Sequence, residues 1–393
     1  MNNTDIFFNN LFECENFACN CVKDIENVAP DIPPKTTLKL YSDSTRLLTF
    51  SYAPREGLNL TGVAGGLIEK NILGKLLAIP DGDIDKHIDF FVTYGFLLPL
   101  KEDEYESINA EDLLGIVNRI KATIQLMNSI GKRNFRSILV NVAYLLYSPQ
   151  IEVRFSDYTF STCYHRFTQL IETYNLFPDI SREDEVAALG TYSVADTMLG
   201  KINHIDFRFY NAVRQNGKTD ITGSNTKWFK NLTAAYVGCH NESEDVRTLI
   251  DFFFHFQTEI SAFKEVEFRR IVPFSHVDEE SFSEEIKTAL LKIARIVVSE
   301  EINFNIAGVH PKYDGSRLSA VWQVDTLLQA LYFSIFYMKA GVEIYKECEN
   351  PNCKRDRYFL VEATRTNKKY CCQQCANAAA SQRHRNRNLE VKG

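Results

Sequence analysis

Apolar residues recur at helical spacing through much of the chain. Leu113, Val117, Ile120, Ile124 and Met127 fall on one helix face, with Asn109 placed to cap its N-terminus. Ser281 and Glu284 form a capping-box pattern ahead of Ile286, Leu290, Ile293 and Val297. Asp325 can cap a helix running to about Lys339. Leu328, Leu331 and Ile335 share one of its faces while Phe333 and Phe336 lie on others, so a buried helix is expected. Strands are expected at 37–41 and 46–52. A hairpin is expected where 302–306 and 316–322 flank Asp314-Gly315. Residues 1–34 end in a proline-rich run at 29–34 and read as a linker or extended arm, and the polar run 215–225 reads as a surface loop. The pattern as a whole predicts a mainly α (α+β) protein, a helical N-terminal domain with a few strands followed by something different.

The difference appears in the charge. The whole chain carries a net of -7, but 346–393 hold 11 Lys+Arg against 5 Asp+Glu, while 1–345 hold 33 against 46. Five of the ten cysteines also fall in those last 48 residues. This shift predicts a boundary near Lys346, with an acidic, mostly helical domain over 1–345 and a basic module over 346–393. At 45% hydrophobic and 24% charged, the chain has ample material for a core, which excludes disordered and collagen-like classes. The acidic balance argues against a protein that coats nucleic acid over its whole surface. The N-terminal stretch lacks the basic and apolar regions of a secretory signal. The most apolar stretch, Val324–Val342, contains Asp325, Gln329 and Lys339, so no membrane partner is expected. A cytoplasmic location follows as the expectation, where clustered thiols point to metal rather than to disulfides.

One motif carries chemistry. Cys348-x4-Cys353 is followed 17 residues later by Cys371-x3-Cys375. Thiolates bind Zn²⁺ tetrahedrally, so two short-range pairs need a folded spacer to bring them together. Residues 358–362 and 368–371 read as the two strands of a hairpin turning at 364–367. The run after Cys375 has no Gly or Pro and reads as a helix. Cys371 and Cys375, four residues apart, would share one face of its first turn. Cys372 could instead pair with Cys375 as C-x2-C; helical spacing and the preceding Tyr370 favour Cys371. Knuckle, hairpin and helix give a treble-clef-like order, with Cys348, Cys353, Cys371 and Cys375 as ligands of a structural Zn²⁺. Four sulfurs close the shell, whereas catalytic zinc usually keeps an open position.

These segments resemble the CGNR-type zinc finger, which closes bacterial proteins whose upstream region is an ABATE-type domain. The resemblance rests on the knuckle 348–353 with its Asn-Pro, on Tyr358-Phe359-Leu360, on 368–377, and on Arg383-His384-Arg385. The four cysteines fall on the family's ligand positions and Asn377 on the Asn of its signature. Ala376 stands where the family has Gly and Ala378 where it has Arg, and the second pair spans three residues where the family often has four. The match covers about the last 45 residues. It implies DNA binding and transcriptional regulation, and no established enzymatic activity.

The residues point the same way on charge. Arg383, Arg385, Arg387 and Lys392 follow the ligands, and Lys368 and Lys369 stand on the expected hairpin among further basic residues. Such a patch would contact phosphates and add salt-sensitive affinity. The alternative from another class is a protein-interaction module, in which zinc only staples the C-terminus and the basic helix meets an acidic protein surface. Other candidates are weaker. Cys14, Cys19 and Cys21, the pair Cys163 and His165, and the pair Cys239 and His240 read as core or surface residues. The run Asp81 to Asp85 lacks the Gly and Glu of a calcium loop and reads as helix capping. No G-x-S-x-G or H-E-x-x-H motif occurs, so no enzyme is expected.

Overall fold

The computed structural model describes residues 12–26, 35–54, 56–62, 66–102, 104–173, 231–232, 235–236, 239–273, 276–315, 319–338, 343–354, 357–362 and 367–390. It is 46% helical and 29% strand, with several small antiparallel sheets, so the protein is mixed α+β and not mainly α. The excess of strand comes first from the N-terminus. There Phe12–Glu26 (β1) is a long strand and not an arm, and it pairs along its whole length with Lys35–Ala53 (β2). The two short strands expected at 37–41 and 46–52 are one continuous strand. Polar residues break the apolar run in the middle of β2; there the register with β1 shifts between Phe17, opposite Leu47, and Ala18, opposite Asp43, so that 44–46 bulge out and the pairing resumes on the other side. The proline run 29–34 and the loop 215–225 lie outside the described residues.

The chain divides into two compact units. The first comprises residues 1–131, 151–162 and 302–393. Its main sheet is antiparallel in the order β1, β2, β3 (Gly57–Thr61), β4 (Leu67–Glu69). Strand β5 (Tyr105–Asn109) pairs with the N-terminal part of β2, Thr37 opposite Asn109, while β3 pairs with its C-terminal part, Thr49 opposite Thr61. Leu38, Leu40, Phe50 and Leu58 are fully buried on this sheet. Helices α1 (Ile72–Ala78), α2 (Ile84–Tyr94) and α3 (Ala110–Lys132) follow it. The face Leu113, Val117, Ile120, Ile124 and Met127 is buried in α3 as its spacing required. Asp83 caps α2 by accepting from the Lys86 amide, the capping role expected for this run. Lys121 is buried on α3, where its Nζ donates to the Ile79 carbonyl at 2.7 Å and to Asp81 at 3.1 Å.

The second unit comprises residues 132–150 and 163–301. It contains α4 (Phe135–Tyr147), α5 (Arg166–Thr173), α6 (Glu244–His255) and the hairpin of β8 (Phe263–Glu267) with β9 (Arg270–Pro273). Between them in the chain, β6 (Glu152–Arg154) and β7 (Thr159–Ser161) form a small hairpin of the first unit. Aromatic rings fill the core of the second unit. Tyr147 lies 5.6 Å from Phe253 and 5.7 Å from Phe263 between ring centroids, and its hydroxyl accepts from Gln257.

Helix α7 (Glu284–Asn305) starts two residues later than the Ser281 capping box proposed, because Ser283 accepts from the Ile286 amide. It also runs through 302–305, which alternation read as a strand. The hairpin at Asp314-Gly315 is real but pairs β10 (His310–Asp314) with β11 (Ser319–Gln323). Thr326, not Asp325, caps α8 (Leu327–Phe336), and the helix ends three residues before Lys339. It is buried nearly all round, as expected, with Phe333 4.8 Å from Phe12 and 5.2 Å from Trp322 between ring centroids. No helix among the described residues is long and apolar enough to cross a membrane. Truncating this aromatic contact should be costly: Phe333→Ala is expected to destabilise the first unit by about 3–5 kcal/mol. Chemical denaturation followed by tryptophan fluorescence should report it, because Trp322 packs on that ring.

Candidate metal centre

The C-terminal segment starts with strand β12 (Glu343–Glu347), which pairs antiparallel with β13 (Tyr358–Glu362). This corrects the expected hairpin: the partner of 358–362 lies before the knuckle, and 368–371 is not a strand. The expected turn falls mostly outside the described residues. The reason is the register of the knuckle. Glu347 pairs with Tyr358, and the Cys348 amide then donates to the Arg357 carbonyl at 2.7 Å, so 348–357 closes the end of the hairpin.

The knuckle is built on Asn350, which is buried. Its carbonyl accepts from the Cys353 amide and from Arg357 Nη1, and its side chain accepts from the Asn352 amide. The Glu349 amide donates to the Lys369 carbonyl at 2.9 Å, which draws the second cysteine pair alongside the first. Helix α9 (Gln373–Glu390) begins there, with the Ala376 amide on the Cys372 carbonyl. Cys371 therefore stands just before the helix and Cys375 in its first turn, so the two ligand positions do not share a helical turn as expected. Their sulfurs still lie 3.6 Å apart.

Four sulfurs converge at this point, those of Cys348, Cys353, Cys371 and Cys375. Cys353 Sγ is 3.7 Å from both Cys371 Sγ and Cys375 Sγ. A tetrahedron with metal–sulfur bonds of about 2.3 Å has edges of roughly 3.8 Å. The spacing is that of a four-thiolate shell, and the cluster could hold a metal ion. Burial alone would push the Cys348 thiol up, but backbone N–H groups at Cys371 and Asn350 and the neighbouring thiols hold it below its usual value. Cys372 is the fifth sulfur, 3.8 Å from Cys371 Sγ but outside the group of four. Backbone N–H groups of Cys375 and then Gln374 face it and lower its thiol, so it sits at the helix N-terminus in the manner of a capping residue.

The module is fastened to the rest of its unit. The Asn128 side-chain amide on α3 donates to the Tyr345 carbonyl at 3.0 Å and accepts from the Tyr345 amide at 3.1 Å. Asn71, which caps α1, donates to the Tyr358 carbonyl at 2.7 Å. Gly74 permits that approach, since a Cβ there would lie 2.5 Å from the same carbonyl. Below the sulfurs, Ile344, Phe359 and Val361 are buried with Cys348 and Cys375.

The basic residues divide. Lys369 pairs with Glu349 at 3.3 Å, Lys368 lies 5.2 Å over the Phe359 ring, and Arg357 pairs with Glu347 at 2.6 Å. Arg383 is exposed on α9, its Nε 3.4 Å from the Ala379 carbonyl. The helix backbone continues through Arg385 and Arg387, whose side chains lie outside the described residues, as does Lys392. Along the helix only Cys375 and Ala379 are buried through Arg383, so its remaining faces are largely solvent-facing. Cys14 and Cys19 are buried in β1, where burial pushes the Cys19 thiol up to about 12, and neither joins a metal-ligating group among the described residues. No family model, no characterised protein and no solved structure matches this chain.

Two outcomes check this geometry. Cys371→Ser is expected to abolish tight metal binding and Cys372→Ser to retain it; a thiol-release titration with a colorimetric chelator ranks the two. Asn128→Ala is expected to cost about 1–3 kcal/mol, because it leaves two backbone groups of Tyr345 without their partner. Amide exchange in 343–347 should quicken in that variant while its metal content stays unchanged.

Proposed function

We propose that the four cysteines hold a structural Zn²⁺ and that the protein binds nucleic acid, DNA foremost, through the helix anchored by that ion. In this reading it is a cytoplasmic transcriptional regulator of the CGNR-type zinc-finger class and not an enzyme. The observation that carries it is the closed four-sulfur shell at the foot of α9. All four positions are taken by thiols, which leaves no place for substrate and suits a structural ion. A four-thiolate zinc is also the usual means of fixing one helix of a small module for recognition. Four thiolates with Zn²⁺ contribute -2, so the basic segment keeps a net charge of about +4 beside an acidic remainder.

A specific observation also favours the second reading, that zinc staples the C-terminus for a protein partner. Lys368 and Lys369 are already engaged with Phe359 and Glu349. The nucleic-acid contact therefore falls on Arg383, Arg385 and Arg387. Because the helix backbone continues through Glu390, positions 383 and 387 fall on one face, while position 385 lies about 200° around the helix from 383. Two of the three are expected to dominate.

Titration of labelled duplex and single-stranded DNA by the full-length protein separates the readings. Replacing Arg383, Arg385 and Arg387 together by Ala should weaken binding across sequences. Each lost phosphate contact should flatten the slope of log K against log[salt] by roughly 0.9 for duplex DNA. Equal affinity of wild type and triple variant at every salt concentration would overturn the nucleic-acid reading in favour of the protein partner.

A further inference from the structure

A second group of ligating side chains lies in the other unit. Cys163, His165 and Glu301 offer a sulfur, a ring nitrogen and a carboxylate oxygen, all within 4.8 Å of one another. The three residues are 6%, 2% and 0% exposed. Cys163 and His165 stand at the entrance to α5, where the His165 carbonyl accepts the Gln169 amide. Glu300 and Glu301 lie on α7, about 135 residues further along the chain.

The imidazole is held from both sides. Its Nε2 is 2.9 Å from Glu301 Oε1 and its Nδ1 is 2.5 Å from Glu300 Oε2. A histidine that ligates a metal through one nitrogen nearly always gives its other N–H to a carboxylate or carbonyl, which fixes the ring. Here Glu300 supplies that carboxylate, and it is the more exposed of the two glutamates, with 29% of its side chain accessible. The Glu301 oxygen lies on the Nε2 side, and the Cys163 sulfur completes a group of three donors within 4.8 Å of one another. An ordinary buried histidine–carboxylate pair requires neither the thiol nor a second glutamate.

We propose that Cys163, His165 and Glu301 form a second metal site, with Glu300 as the positioning residue on His165 Nδ1. The donor set selects the ion. Thiolate, imidazole and carboxylate together suit a borderline divalent transition ion, Zn²⁺ first. A thiolate and a carboxylate carry -2 between them, which a divalent cation neutralises inside a site that excludes solvent. Three protein ligands leave the shell one short of four, unlike the C-terminal cluster. The ligand–ligand edges contract to roughly 3.5 Å when bonds of 2.0–2.3 Å form, a change that side-chain rotation can supply. In the absence of metal His165 stays held between Glu300 and Glu301, so the unit retains its packing.

The site shares no residue with the C-terminal cysteines, and its test is separable from theirs. Full-length protein is equilibrated with excess Zn²⁺, desalted and assayed for zinc per chain. Two are expected in wild type, one in Cys163→Ala or His165→Gln, and one in Cys353→Ser. Glu300→Gln should keep the fold and weaken retention of the second ion. A cobalt titration of wild type needs no variant: two equivalents with two distinct visible spectra are expected, one rich in thiolate charge transfer and one with a single thiolate's share. One equivalent with one spectrum, or a Cys163→Ala protein that still holds two zinc ions, would overturn the proposal.

Discussion

The convergence of four sulfurs between a hairpin end and a helix start is the constraint on which the C-terminal segment depends. Apolar burial there is thin. In the cluster around the sulfurs, Ile344, Phe359 and Val361 are the buried hydrophobics besides the ligand positions Cys348 and Cys375. The Asn71 and Asn128 contacts fasten the hairpin, and the four sulfurs converge where a metal ion could cross-link it to the start of α9. A metal adds folding free energy directly in such modules, because the ligands come together only in the folded state. The knuckle, the second cysteine pair and the start of α9 are thus expected to order as one event.

The anchoring amides place that event in context. Asn128 occupies both backbone groups of Tyr345 and so takes over the hydrogen bonding that a further strand would otherwise provide to β12. Asn71 does the same for one carbonyl of β13 while capping α1 with its side-chain oxygen. A hairpin fastened to the rest of the first unit in this way, with the four sulfurs at its end, leaves α9 exposed on most of its faces through Arg383. That is the arrangement either proposed partner, nucleic acid or protein, would require.

Much of the cluster was legible in the sequence and less of the fold was. Cys348, Cys353, Cys371 and Cys375 could be grouped because thiolate geometry restricts spacing more tightly than secondary structure does. The strand pairing around them was not legible, since apolar alternation identifies a strand but not its partner, and the partner of 358–362 is 343–347 and not 368–371. The long strand Phe12–Glu26 was not legible because asparagine, aspartate and glutamate, which recur along it, are weak strand formers; Cys14 and Cys19 are buried there by pairing and packing. Residues 302–305 alternate apolar and polar, yet they finish the helix α7, where tertiary context overrides so short a pattern. Cys163 and His165 were visible as a pair, but Glu300 and Glu301 join them only through the fold.

A metal bound by the four cysteines would hold the knuckle and the start of α9 together. Amide hydrogen exchange of the full-length protein, before and after treatment with a strong chelator, measures this. On this account the chelator releases zinc, and protection collapses in 348–353 and 371–379 while the amides of Leu113–Met127 keep theirs. An unchanged exchange pattern in those two segments, with no zinc released, would contradict it.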